Sequence, residues 1–286
     1  MNRDVQFFSP VCLDKALGLL AEYGDKVTVL AGGTDVVPKI NYFTLQPEAI
    51  LYIAGLGLDY IKEEDDAIVL GACTTLAQIL DSALLAEKVP ALVQAARSSS
   101  STAIHTTATI GGNIMNLSPA GDMIPTLFVM GAELVLASVD GERSVKIGDF
   151  FTGYKQCVLA ANELVKEIRI PKAAGGSAYI KLGKRKAQTL SVVSCAARVA
   201  VEDGVVKEVG LALGSMAPTV IDISDDAACM IGKPFSGELV AQAAEAAIAK
   251  TNPISDTRAT AWYRKTAGVS VVKRAIYAAA GVEYAD

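Results

Sequence analysis

Apolar positions recur at helical spacing near the start of the chain, at Leu13, Leu17, Leu20 and Ala21, with Asp14 available as a cap and Gly24 closing the run. This pattern predicts a helix that leads into the β-branched stretch VTVLA at 27–31, a first strand. AILYIA at 49–54 reads as a second strand, and YIKEEDDAIVLGA at 60–72 as a hairpin whose charged turn runs from Glu63 to Asp66. Short helices are predicted next: LAQIL after Thr74-Thr75, and PALVQAARS, where Pro90 suits a first helical turn. Further on, MIPTLFVMGA is expected to be helical, AELVLASV and RSVKI to pair around Asp140-Gly141, and ELVKEIRIP to form a strand ended by Pro171.

The pattern changes after PKAAGGS at 171–177, which reads as a linker. Beyond it come longer strands, SAYIKLGKR, SVVSCAARVAVED and VVKEVGLALGS, the last two joined at Asp203-Gly204, and then two alanine-rich helices near 236–250 and 260–280. A run of strands followed by a run of helices predicts an α+β second domain. No fixed-period repeat is present.

With 286 residues, 51% hydrophobic and 20% charged, the chain has material for two cores, which agrees with the change of pattern. The formal net charge is -5 and the basic residues are scattered apart from Lys184-Arg185-Lys186, so no nucleic-acid partner is expected. The longest apolar stretch, Met123 to Val139, is interrupted by Gly131 and Glu133, and MNRDVQFFSPVC lacks a basic region followed by an apolar core. Neither a membrane span nor a secretion signal is therefore predicted. Five cysteines stand far apart with no CxxC or CxC pair, so no metal or iron-sulfur site has local ligand spacing, and free thiols in a reducing cytoplasm are expected.

The chemistry is concentrated in two glycine pairs, AGGTD at 31–35 and TIGGN at 109–113. A loop that holds a diphosphate must present several backbone N–H groups to its oxygens, which favours residues without a Cβ and with access to positive φ. Each pair follows a β-like run and precedes a polar side chain, Thr34 or Asn113, so the two turns can clamp one diphosphate from either side. A tight turn alone explains either pair taken singly. Neither stretch has the GxGxxG spacing, the flanking elements do not read as repeated βαβ units, and GxxxxGK[ST] is absent.

VLAGGTDV (29–36), TIGGNIMNLSPAGD (109–122), YIKLGKRKA (179–187) and the closing SDTRATAWYRKTAGVSVVKRA (255–275) occur in an order and spacing that resembles the FAD-binding medium subunit of the xanthine dehydrogenase and carbon monoxide dehydrogenase family of molybdenum hydroxylases. The resemblance covers almost the whole chain. It implies a two-part FAD-binding domain of the vanillyl-alcohol oxidase and p-cresol methylhydroxylase type over 1–173, followed by a CO dehydrogenase flavoprotein C-terminal-like domain over 174–286, an antiparallel sheet with helices. It assigns to the cofactor Val29, Leu30, Ala31, Gly32, Gly33, Thr34, Asp35 and Val36, then Thr109, Ile110, Gly111, Gly112 and Asn113, with Ser118, Asp122, Val165 and Lys181 as further contacts. A carboxylate beside a diphosphate would repel it, so Asp122 should accept from flavin or sugar groups, or cap the helix that follows. Ser118 reads as a hydroxyl contact or a turn residue, and Lys181 as a cationic contact or a solvated strand lysine.

Two departures from the family pattern stand out. Members commonly read G-S-P-Q-I-R-N before the second glycine pair, whereas this chain reads Ser100-Ser101-Thr102-Ala103-Ile104-His105-Thr106, with its only histidine replacing arginine. A lone histidine there is expected to be a structural hydrogen-bonder. Members often carry Ala-x-Asp-Ile-Ser after the basic run, whereas Ala187-Gln188-Thr189-Leu190-Ser191 places Thr189 at the acidic position, in a loop that in the family shapes access for the electron acceptor.

The resemblance implies an electron-transfer subunit that carries FAD, takes electrons from a 2Fe-2S partner subunit, works beside a molybdopterin-binding large subunit, and delivers to NAD or another acceptor. No catalytic side chain and no metal ligand is expected in this chain. A flavin-free assembly subunit and a free-standing flavin oxidase are the alternatives, to be separated by bound FAD and by turnover of the isolated chain.

Overall fold

The computed structural model describes residues 5–284. The chain opens with β1 (Gln6–Phe8), α1 (Leu13–Tyr23), β2 (Val27–Leu30), α2 (Val36–Asn41) and β3 (Ala49–Tyr52). The strands form a three-stranded parallel sheet in the order β1-β3-β2, with Val27 opposite Ala49 and Gln6 opposite Ala49 on the other edge. Parallel pairing requires helical crossovers, so this lobe does contain successive βαβ connections, contrary to the sequence reading. α2 has six residues, too few for helical periodicity to register in the sequence. Gly24 closes α1 with φ 52 as expected, but its N-cap is Cys12 rather than Asp14.

A second lobe follows: β4 (Ile61–Glu63), β5 (Ala67–Gly71), the helices α3 (Leu76–Asp81), α4 (Ala83–Lys88), α5 (Pro90–Ser98), α6 (Thr102–His105), α7 (Ile110–Met115) and α8 (Ile124–Val129), then β6 (Glu133–Ser138) and β7 (Gly141–Lys146). It continues through α9 (Ile147–Phe150) and the small hairpin of β8 (Phe151–Gly153) and β9 (Gln156–Cys157) to β10 (Leu164–Pro171). The sheet order β4-β5-β10-β6-β7 places β10 at the centre, antiparallel to both neighbours. α3 begins with a capping box, Thr75 and Gln78 satisfying each other's backbone N–H. Pro90 occupies the first turn of α5, where a missing N–H costs nothing.

The remaining part is a four-stranded antiparallel sheet, β11 (Gly176–Leu182), β12 (Val193–Glu202), β13 (Val205–Gly214) and β14 (Ile221–Asp222), covered by α10 (Ser224–Ala227), α11 (Gly237–Ala249) and α12 (Ala261–Ala280). The Asp203-Gly204 turn has φ 50 and 75, the double positive φ that suits the twist of a tight hairpin. Alternation along β12 and β13 places Val193, Cys195, Ala197 and Val199 against α11 and α12, while Ala196 and Ala212 face the second lobe. The two larger cores thus meet across one sheet. Polar bonds reinforce the contact: Tyr179 N–H donates to Gln94 Oε1 at 2.7 Å and Ala91 N–H to Ser177 Oγ at 3.3 Å.

Arg264 on α12 is 1% exposed. Its guanidinium donates to the Val192 carbonyl, to the Ser215 carbonyl at 3.4 Å and to Asp256 Oδ1 at 2.8 Å. Burial raises the Asp256 pKa, but bonds from Arg258 and Ala259 and the charge of Arg264 outweigh it and hold the carboxyl below its ordinary range. This pair ties the irregular stretch before α12 to the ends of β12 and β13.

Candidate cofactor site

A cleft of about 840 Å³ lies where the two lobes and the third part converge. Its walls come from β2 and the loop to α2, from α7 and the turn after it, from the start of β10, and from Gln188 to Leu190. Of the residues expected from sequence, Val29, Ala31, Gly32, Gly33, Thr34, Asp35, Val36, Thr109, Gly111, Gly112, Asn113, Ser118, Asp122 and Val165 line it. Leu30, Ile110 and Lys181 do not. Ile110 is fully buried in the core of the second lobe, and Lys181 sits behind Asp122.

The first glycine loop is an open array of donors. Among the described residues, the N–H groups of Gly32, Gly33, Thr34, Asp35 and Val36 have no protein acceptor. Gly33 has φ 73, the left-handed conformation that bends successive N–H groups toward one side. A Cβ on Gly32 would lie 1.6 Å from the Thr107 carbonyl oxygen, so this glycine permits close contact with the segment preceding the second pair.

The second glycine pair has a different local structure. It opens α7 rather than following a strand, with Thr109 as N-cap. Ile110 N–H donates to Thr74 O, Gly111 N–H to Ala72 O, Gly112 N–H to Thr109 Oγ1 at 3.0 Å, and Asn113 N–H to Thr109 O. All four donors are used internally. A Cβ on Gly111 would lie 2.6 Å from the Ala72 carbonyl oxygen, whereas one on Gly112 would meet only Thr109 Oγ1, at 3.0 Å. Gly111 therefore serves packing, and the space beside Gly112 is free of protein apart from its own cap.

Side chains after this turn are also engaged. Asn113 Oδ1 accepts from Met123 N–H at 3.3 Å, and Ser118 Oγ accepts from Ala120 N–H at 3.2 Å, leaving the Asn113 amide N–H groups and the Ser118 hydroxyl hydrogen available. Asp122 is 6% exposed and does not cap α8, whose N-cap is Met123. Instead Asp122 Oδ1 accepts from Tyr179 Oη at 2.7 Å and Ser191 Oγ at 2.9 Å, and Oδ2 from Lys181 Nζ at 2.7 Å. A carboxylate offers about four lone-pair sites, so one remains on Oδ2. Lys181 Nζ also donates to Ser98 O at 3.1 Å, and it is a buried ion-pair partner rather than a solvated lysine. Burial, and then the Asp122 charge, push the Tyr179 hydroxyl well above its ordinary pKa.

Sequence reading missed several cleft residues. Gln188, Thr189 and Leu190 enter from the third part, and Ser99 to Ser101 with Ile104 close one side. The signal for both was the departure from family pattern at these segments. His105 itself is buried, and its Nε2 bonds to the Ser99 carbonyl at 2.5 Å, so it holds the serine segment rather than facing the cleft. Lys39 and Asn116 also line the wall, with no motif to announce them.

A parallel three-stranded lobe, a helix-rich lobe on an antiparallel five-stranded sheet and an antiparallel third part surround one cleft, and solved flavoprotein-bearing enzymes share this arrangement. The chain superposes on carbon monoxide dehydrogenase from Oligotropha carboxidovorans with a TM-score of 0.94 at 27% identity, covering 98% of this chain and 99% of that one. Residues 3–173 match the family described as FAD binding domain in molybdopterin dehydrogenase, and residues 178–279 the CO dehydrogenase flavoprotein C-terminal domain. The carbon monoxide dehydrogenase medium chain of Hydrogenophaga pseudoflava is 32% identical over 277 residues, 96% of each chain, and the nicotinate dehydrogenase FAD-subunit of Eubacterium barkeri is 35% identical over 244, 82% of each. The protein belongs to the FAD-binding subunits of the molybdenum hydroxylases, and FAD is its cofactor.

Proposed function

We propose that the chain is the electron-transfer subunit of a molybdenum hydroxylase complex, that its FAD occupies the cleft, and that the first glycine loop is the principal donor array for the diphosphate. The observation that carries this placement is the run of N–H groups from Gly32 to Val36 without protein acceptors on the wall of the cleft. Such a cradle fits a diphosphate, which needs convergent donors and close backbone approach. The second glycine pair acts by shape: Gly112 leaves room for the ligand while Asn113 and Ser118 keep donors free. Asp122, with a single acceptor position left, takes one donor from the flavin or its sugar chain. Val165, buried on β10, supplies an apolar surface.

Bound FAD supplies redox chemistry that accepts electrons singly and releases them in pairs. The side chains here bind, orient and exclude water. Electrons enter from a 2Fe-2S partner subunit, a molybdopterin-binding large subunit oxidises the substrate, and NAD or another acceptor receives the pair. The names of the similar medium chains and FAD-subunits support this assignment, as does the wide separation of the five cysteines. A reducing cytoplasm suits those cysteines, all of them free thiols. The boundary we propose between the two domains, at 173/174, falls between β10 and β11.

Among the described residues no helix is long and apolar enough to cross a membrane. The purified chain should carry flavin absorbance close to one equivalent. Gly112→Val should abolish it, because beyond its contact with the Thr109 cap the side chain extends into the space the ligand takes. A folded Gly112→Val protein that keeps its FAD contradicts the placement, and a wild-type chain that assembles without flavin selects a scaffold role instead.

A further inference from the structure

The charged side chains on the cleft wall are Asp35, Lys39, Asp122 and Glu163. Two are neutralised by pairing, Asp122 with Lys181 at 2.7 Å and Glu163 with Arg143 at 2.6 Å. Lys39 has no carboxylate partner among the described residues; its Nζ donates to Asn116 Oδ1 at 3.3 Å. A second lysine converges on the same atom. Lys155, in the turn between β8 and β9, donates to Asn116 Oδ1 at 3.2 Å and to the Asn116 carbonyl, and it too lacks a carboxylate partner. Two ammonium groups therefore share one amide oxygen.

This arrangement sets two like charges together, and Asp35 on the same wall offsets them only in part. Lys155 holds a left-handed backbone, φ 58, which side-chain-bearing residues rarely adopt. Its ammonium is held below its ordinary pKa by burial first and by Lys39 second, against a smaller opposing pull from Asp35. Capping of α7 accounts for one of the two cations, since Asn116 is its C-cap and its carbonyl accepts from Lys155. It does not account for the second. Lys39 lies three residues beyond Val36, one helical turn from the end of the open N–H run, so the ammonium and those donors belong to one short segment of the cleft wall.

We propose that Lys39, Lys155 and Asn116 form a cationic clamp for the diphosphate of a dinucleotide, and that this dinucleotide is the flavin cofactor itself. The Asn116 Oδ1 atom holds the two ammonium groups together, and its amide N–H groups remain free to donate to the anion. The inference rests on the cleft being the flavin site. The same diphosphate chemistry belongs to a pyridine dinucleotide at the cleft mouth, and the test separates the two sources.

The full-length chain, deflavinated, is titrated with FAD and with riboflavin, which lacks phosphate, following flavin fluorescence in wild type, Lys39→Gln, Lys155→Gln and the double variant. Each glutamine should weaken FAD binding by about tenfold, as loss of a charge-assisted contact does, and change riboflavin binding by less than about twofold. The salt dependence of FAD affinity should be shallower in the double variant, and Lys39→Arg with Lys155→Arg should restore binding. Equal thermal midpoints of the deflavinated proteins establish that the fold is intact. Unchanged FAD affinity together with weakened NADH binding to the flavin-loaded chain overturns the assignment to the cofactor and gives the clamp to the acceptor. Unchanged affinity for both, or equal losses for FAD and riboflavin, overturns the clamp. A wild-type chain that binds riboflavin but not FAD more tightly overturns the diphosphate site, whereas one that binds neither refutes the cleft as a flavin site.

Discussion

The two Gly-Gly turns look interchangeable as letters, yet they have opposite hydrogen-bond economies. Around Gly32 and Gly33, five consecutive N–H groups have no acceptor among the described residues; from Ile110 to Asn113, four consecutive N–H groups all have one. Gly33 needs its positive φ, whereas Gly111 needs only the missing Cβ that lets α7 close on the Ala72 carbonyl. A glycine pair thus marks a place where backbone must come close. What it comes close to, ligand or protein, depends on which donors the surrounding fold has already used.

The largest effect that sharpens this contrast should come from Asp122→Asn, beyond the second turn. It removes the counter-charge of a buried lysine whose side chain is 5% exposed. The loss should be about 3–5 kcal/mol, as for one partner of a buried pair, measured by denaturant unfolding of the flavin-free chain. A loss below about 1 kcal/mol would show that the network does not hold the third part against the second lobe.

Smaller effects should separate the turns directly. Gly111→Ala drives a Cβ into the Ala72 backbone and should cost about 2 kcal/mol, with the FAD affinity of the folded fraction nearly unchanged. Gly33→Ala should show the reverse balance, about 1 kcal/mol of stability from the positive φ but at least about tenfold weaker FAD. Paired unfolding and flavin titrations decide the matter, and matching profiles for the two variants would erase the contrast.

The smallest effect is a pH dependence. The folded pKa of Tyr179 is raised by burial and by Asp122, so the folded state retains this proton where the unfolded chain, near pH 10, begins to lose it. Its contribution is intact below about pH 10 and declines as pH rises toward the folded value. Tyr179→Phe should flatten the alkaline fall in stability above that pH; an unchanged slope assigns it to other groups.

Much of the fold was legible because its signals are local. Gly24 ends α1, Pro90 starts α5, Asp203-Gly204 turns β12 into β13, and alternation along β12 and β13 requires only near neighbours. The cleft residues of the two glycine stretches were legible through motif order, and Asp122 through its place in that motif. The expectation failed where the answer lay across the chain. TATI reads as β-like, but Thr109 caps a helix whose first N–H groups reach Ala72 and Thr74. Lys181 has the alternation of a solvated strand position until Asp122 is brought beside it.

Family, cofactor class, the order of most elements and the stretches that line the cleft were all readable in the amino acids alone, since they follow from patterns within a few residues or from motifs in series. It took the folded arrangement to fix which N–H groups stay open, that Asp122 faces Tyr179, Lys181 and Ser191, that Gln188 to Leu190 line the cleft, and that Lys39 and Lys155 meet at Asn116. A hydrogen bond or an ion pair depends on where its partner's atoms sit, and partners 57 to 69 residues apart, as around Asp122, are placed by the packing of whole sheets and helices.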